Sequence, residues 1–114
     1  MKIFITGISG FIGYHLARKL FSQGHHVLGI DSYNSYYDVA LKRARSGKLD
    51  ELGIENSYGD LTVLAFKSDW FNKLEGVDVV IHLAAYAGVR HSLKQPKLYI
   101  DNNITGTQNL IDAC

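Results

Sequence analysis

Three glycines stand at positions 7, 10 and 13 of the run GISGFIG, directly after the apolar stretch KIFIT. Their spacing is G-x-x-G-x-x-G, one residue wider at the start than the G-x-G-x-x-G of dinucleotide-binding turns. The setting is the one such a turn needs, between a first strand and a first helix. Gly7 permits a tight turn off the strand. Gly10 leaves the backbone open to a pyrophosphate, and Gly13 lets the helix pack on the strand. The helix N-terminus then offers free N–H groups and partial positive charge to an anion. Glycines alone fit a bare strand-to-helix turn equally well. Asp31 adds a second element. It closes the next apolar run, 18 residues after Gly13. A carboxylate there accepts hydrogen bonds from the adenosine ribose hydroxyls. A 2′-phosphate would be repelled by on the order of 4 kcal/mol at ~4 Å and an effective dielectric of 20. The next arginine is Arg43. The pattern therefore predicts NAD rather than NADP. Two more strand ends, GDL (59–61) and HLAA (82–85), fall where ligands of open α/β sheets gather. Ala84 and Ala85 are small enough for a flat cofactor to lie against the backbone.

Other chemistries find little support. The five histidines, His15, His25, His26, His82 and His91, show no metal-ligand spacing, so no metal site is expected. They read as core or surface residues, and Tyr33, Tyr36 and Tyr37 as packing beside the cofactor entrance. Cys114 is the single cysteine, which excludes a disulfide framework. Net charge is +1 without a basic stripe or acidic tail, so nucleic-acid and membrane binding are not expected. The short N-terminal apolar run is neither a signal segment nor a membrane span. A cytoplasmic protein is the simplest expectation.

The chain has 114 residues, 46% apolar and 20% charged, which suits one soluble globular domain. KIFITG and HHVLGID read as buried strands. Between them, Phe11 to Gly24 recurs at helical spacing. SYNSYYDVALKRARSGKLDELG reads as a loop and then a helical stretch over residues 38–45. IENSYGD is a weak third strand. TVLAFKSDWFNKLEG reads as an amphipathic helix with Thr62 as N-cap. VDVVIHLAA predicts a strand from Val77 to Ala85 buried on both faces. SLKQPKLYIDNNITGTQNLIDAC predicts a helix with Pro96 near its start. This β-α-β-α-β-α-β-α order predicts an α/β fold, a doubly wound parallel sheet of about four strands. The helical period persists to the last residue, and strand four keeps an apolar edge. Both features suggest the first part of something longer, poorly stable alone.

Taken together, TGxxGFIG, Asp31, GDL, HLAA and NNxxGTxNL resemble the extended short-chain dehydrogenase/reductases across the whole chain. More narrowly they resemble the NAD-dependent nucleotide-sugar epimerases and dehydratases, where G-x-x-G-x-x-G is the normal spacing. NSYYDVALKRAR (34–45) and HLAAYAGVRHSL (82–93) are similar to the UDP-glucuronate 4-epimerase branch. The resemblance implies a Rossmann-like fold and epimerisation at C4 of a UDP-sugar through a 4-keto intermediate, with bound NAD taking and returning hydride. By position, Gly7, Gly10, Phe11, Ile12 and Gly13 would line the pyrophosphate. Asp31, Ser32 and Asn34 would surround the adenosine ribose, and Asp60 and Leu61 would flank the adenine. Leu83, Ala84, Ala85 and Ala87 would lie along the nicotinamide-side ribose, with Asn102 nearby. Arg90 would meet the sugar carboxylate of a nucleotide-sugar substrate, since a guanidinium suits a planar anion. The family's base lies in Tyr-x-x-x-Lys, and none of the seven tyrosines fits. Tyr14 is followed at that distance by Arg18, and Tyr86 by Arg90. The resemblance thus places the catalytic motif and the sugar-nucleotide domain outside residues 1–114, and a homodimer in the parent. A 4,6-dehydratase portion and a non-catalytic NAD-binding module are the alternatives.

Overall fold

Successive side chains of a strand point to opposite faces, and here both faces of the first strand are covered. Strand β1 (Lys2–Thr6) sends Ile3 and Ile5 to one side, where they meet Tyr14, Ala17, Val27, Leu49 and Ile54. Phe4 goes to the other side, among Leu28, Ile30, Leu61, Trp70 and Leu110. The computed structural model describes residues 1–33, 39–63, 69–86 and 89–114. Helix α1 (Phe11–Ser22) follows β1, then strand β2 (His26–Asp31), helix α2 (Val39–Leu52) and strand β3 (Glu55–Tyr58). A 3-10 segment (Asp69–Leu74) precedes strand β4 (Val79–His82). Helices α3 (Val89–Lys94) and α4 (Pro96–Tyr99), a π-helical segment (Ile100–Thr105) and helix α5 (Gly106–Ala113) complete the chain.

The sheet runs β3-β2-β1-β4 with every pair parallel. Thr6 pairs with Ile30 on one side and His82 on the other, so the strands end together. Helices α1 and α2 cover one face, and α5 with the 3-10 segment covers the other. This is the doubly wound, Rossmann-like arrangement expected. Its order reverses direction between β1 and β4, and ligands of such sheets bind in the crevice outside that point.

Four expectations need correction. Helix α2 runs on past Arg45 to Leu52, because Leu49 is fully buried in the core. Its burial outweighs Gly47, which costs a helix about 1 kcal/mol. Within TVLAFKSDWFNKLEG, the described part (Asp69–Leu74) is a 3-10 helix, and residues 64–68 lie outside the described set. The N-cap expected at Thr62 turns on residues 64–68 and so lies outside the described residues; Thr62 itself donates from its N–H and its hydroxyl to Asp60 Oδ1 at 2.9 and 2.7 Å. Strand β4 spans only Val79–His82 and is half-buried to exposed, because among the described residues β1 is its single strand neighbour and ends at Thr6. The C-terminal helical region is interrupted, since Gln95 before Pro96 leaves helical geometry (φ −136°, ψ 65°), and a π turn follows.

Gly13 sits where α1 crosses the strand end. A Cβ there would run into the Gly7 carbonyl and approach Ile8 Cα at 3.0 Å. Gly47 has open space around a Cβ. Urea denaturation of Gly13→Ala should show a loss of about 3 kcal/mol from overpacking. Gly47→Ala should instead gain about 0.5–1 kcal/mol from helix propensity. No helix among the described residues is long and apolar enough to cross a membrane.

Candidate functional site

The glycine turn is fixed from three directions. Gly7 takes φ +73°, and its N–H donates to Ile30 O at 2.8 Å. Gly10 N–H returns to Gly7 O at 3.0 Å, closing the turn. Ser9 N–H reaches Asp31 Oδ2 at 3.2 Å. The N-cap of α1 is Gly10, with no side-chain cap and no acid in the first turn. The first-turn N–H groups have no helical carbonyl to reach, so they and the helix dipole face the crevice.

That crevice is a cleft of about 500 Å³. It brings together Gly7, Gly10, Phe11, Ile12, Gly13, Asp31, Ser32, Asp60, Leu61, Leu83, Ala84, Ala85 and Asn102, all named from the sequence. Arg90 is exposed at the start of α3 and is not among the lining residues. Asn34 and Ala87 lie outside the described residues. The glycines act by different means. A Cβ on Gly10 would approach only Gly7 O, at 3.2 Å, so that position stays open to the cleft. A Cβ on Gly7 would meet the Leu83–Ala84 peptide at 3.0 Å, so the turn and the end of β4 share one wall.

Sequence reasoning missed Lys42, Arg45 and Tyr86, which also line the cleft. Asp31 is buried, and Lys42 Nζ meets its Oδ1 at 2.9 Å, with Tyr33 N–H on the same oxygen at 2.9 Å. Arg45 donates to Ser9 O at 3.3 Å and lies 6.0 Å over the Phe11 ring. Lys42 and Arg45 are three residues apart on α2, hence on one helix face. The signal available was the buried acid itself, which demands a cation when withdrawn from water. No arginine was expected to offset Asp31, and the offset comes instead from a lysine: with Lys42 beside it, the repulsion of a 2′-phosphate is smaller than a bare carboxylate implies.

The far wall is held by the C-terminal motif. Asn103 grips Tyr86 by both of its backbone polar groups, accepting from its N–H at 2.7 Å and donating to its O at 2.9 Å. Asn109 Nδ2 donates to Leu61 O at 2.7 Å, and a Cβ on Gly106 would meet Leu61 Cβ at 3.2 Å. Asn102 donates to Leu98 O at 2.8 Å while lining the cleft. Burial, and then the charge of Asp60, push the Tyr86 hydroxyl up from its ordinary pKa. Tyr86 is therefore a neutral phenol at physiological pH.

A parallel sheet with reversed order beside a glycine turn and a buried acid defines a Rossmann-like domain with a ligand cleft at its switch point. The chain belongs to the NAD dependent epimerase/dehydratase family, whose model matches residues 3–114. It is 47% identical to Protein CapI of Staphylococcus aureus over 99% of this chain and 34% of that protein. It is 41% identical to a probable UDP-glucuronate 4-epimerase of Rhizobium meliloti (strain 1021), over 98% and 33%. Among solved structures it resembles a UDP-glucuronic acid 4-epimerase mutant from Bacillus cereus in complex with UDP-4-deoxy-4-fluoro-glucuronic acid and NAD. That match has a TM-score of 0.81 and 39% identity, over 100% of this chain and 36% of the other. A dTDP-glucose 4,6-dehydratase from Streptomyces venezuelae with NAD bound follows at TM-score 0.79 and 28% identity, over 99% and 35%. The chain spans about a third of the length of the relatives it matches.

Removing either partner of the Asp31–Lys42 pair should not cost the same. Asp31→Asn leaves a buried ammonium uncompensated, and chemical denaturation should show a loss of about 3–5 kcal/mol. Lys42→Met leaves a carboxylate that still has two N–H donors, so its loss should be about 1–2 kcal/mol.

Proposed function

We propose that the cleft binds NAD as the cofactor portion of a nucleotide-sugar 4-epimerase. The observation that carries this is the convergence of the uncapped α1 N-terminus, the glycine turn and Asp31 in one cleft. The pyrophosphate lies over Gly7, Gly10, Phe11, Ile12 and Gly13, where free N–H groups face it. Asp31 and Ser32, with Asn34, take the adenosine ribose, and Lys42 holds the Asp31 carboxylate in place. Asp60 and Leu61 flank the adenine. Leu83, Ala84, Ala85 and Ala87 lie along the nicotinamide-side ribose, with Asn102 beside them. The group supplies hydride acceptance and return. This chain's residues bind it, orient it and keep one face of it dry. The family and the Bacillus cereus enzyme's bound NAD support this reading.

Residues 1–114 are then the first part of a dinucleotide-binding domain. None of their tyrosines stands in Tyr-x-x-x-Lys, so the base that takes the sugar hydroxyl proton lies outside them. The whole protein acts on a UDP-sugar such as UDP-glucuronate, with Arg90 contacting the sugar carboxylate, as a cytoplasmic homodimer. The relatives named UDP-glucuronate 4-epimerase favour that substrate. A 4,6-dehydratase is the second reading, favoured by the Streptomyces venezuelae likeness.

Calorimetry should find NAD bound more tightly than NADP. Lys42→Met bares the acid and should widen that ratio, while Asp31→Asn should narrow it. Equal affinities in the unmodified chain would overturn the assignment of Asp31 to the ribose. Incubation of the whole protein with UDP-glucuronate should give its C4 epimer, read by the sugar proton couplings. A 4-keto-6-deoxy product from a UDP- or dTDP-hexose would favour the dehydratase.

A further inference from the structure

The two strand ends that meet at the switch point are joined by one side-chain network. Leu83 N–H is shared between Thr6 O at 3.2 Å and Thr6 Oγ1 at 3.1 Å. Ala84 N–H donates to the same Oγ1 at 3.1 Å. Both lone pairs of that hydroxyl oxygen are thus taken, and its proton must go elsewhere. It goes to His82 Nδ1, at 2.7 Å. On the other side of the ring, Nε2 lies 2.8 Å from Thr107 Oγ1. Thr107 has one proton and gives it to Asn103 O at 2.7 Å, so its oxygen accepts from His82. The network has one consistent proton assignment: Nε2–H, with Nδ1 bare. The same Asn103 grips Tyr86, so the network reaches both sides of the HLAA wall.

We propose that His82 is a positioning residue of the cleft: as the neutral Nε2–H tautomer it fixes Thr6, and through it the Leu83–Ala84 peptide against which the cofactor lies. This rests on reading the cleft as a dinucleotide site. Protonation adds a hydrogen at Nδ1, where it meets a hydroxyl oxygen with no lone pair left. Thr6 Oγ1 must then turn its own proton away from the ring and release one of the two N–H groups it accepts, from Leu83 or from Ala84. The groups facing the ring are Thr6 from β1 and Thr107 from α5, both uncharged, and no charged group among the described residues shifts it. Burial holds the imidazole below its ordinary pKa. The folded chain therefore takes the proton less readily than the unfolded one. His82 supports folding above about pH 6.5, and that support is lost as pH falls through the folded pKa.

The test uses the chain with 15N-labelled histidine and backbone between about pH 8 and about pH 5. Ring nitrogen shifts report the tautomer and its protonation. Amide exchange, corrected for the intrinsic rate at each pH, reports Leu83 and Ala84. Calorimetry with NAD reports the cleft. The expected result is Nε2–H at the upper pH. Protection at Leu83 or Ala84, and NAD affinity, should then each fall about tenfold as His82 protonates, the loss of one part-buried hydrogen bond. His82→Asn does not titrate, and its side-chain oxygen can take the Thr6 hydroxyl, so the step should vanish. Thr6→Ser should keep the step and Thr6→Val should abolish it. An Nδ1–H tautomer, or steady Leu83 and Ala84 protection while His82 titrates, overturns the proposal. If NAD fails to bind at any pH while protection tracks His82, the clamp stands and the cofactor reading falls. If NAD binds while neither signal tracks His82, the clamp falls and the cofactor reading stands.

Discussion

The turn from Gly7 to Gly13 has to pass between three strand ends and a helix with no room for a side chain at Gly7 or Gly13. Gly7 holds φ +73°, with the Leu83–Ala84 peptide where its Cβ would be. Gly13 lies against the other side of the same turn. Ile30 O and the Asp31 carboxylate take the N–H groups of Gly7, Ile8 and Ser9. The sheet therefore determines the turn, and the turn determines where α1 begins. Where Gly7 and Gly10 form it, the cleft floor is peptide, which has no rotamers to freeze when a ligand arrives. Binding at such a floor depends on geometry more than on side-chain identity, and distant supports that keep the geometry matter accordingly.

Those supports come largely from the NNxxGTxNL stretch. By resemblance it belongs to the cofactor site, yet within it only Asn102 lines the cleft. Asn103 grips Tyr86, Gly106 lets α5 approach Leu61, and Asn109 holds the Leu61 carbonyl. Thr107 closes the His82 network. Helix α5 and the π-helical segment before it thus tie the loop after β3 to the end of β4 and the loop that follows it. That segment carries Asn102 and Asn103, consistent with the frequency of π turns at functional sites.

The α/β alternation and the cleft's glycines, acid and alanines were legible in the sequence because each rests on local rules. Apolar runs mark buried strands, and Gly7 and Gly13 occupy positions where a side chain has no place, while Gly10 keeps the turn open to the cleft. What escaped was tertiary. Helix α2 continues through Ser46 and Gly47 because Leu49 reaches the core, which no local propensity shows. Lys42 reads as one of several surface cations until the fold folds it onto Asp31. The length of β4 was overread because hydrophobicity does not say how long its neighbour is.

The central claim is that the turn at Gly7–Gly13 and the wall at Leu83–Ala85 form one NAD site. Titration of NAD into the 15N-labelled chain, followed amide by amide, tests it most directly. The account predicts that the largest shifts fall together on the amides of Gly10 to Gly13, on Ser32 and on Leu83 to Ala85, with one common binding curve. Shifts confined to other surfaces, or separate curves for the turn and the wall, would contradict it.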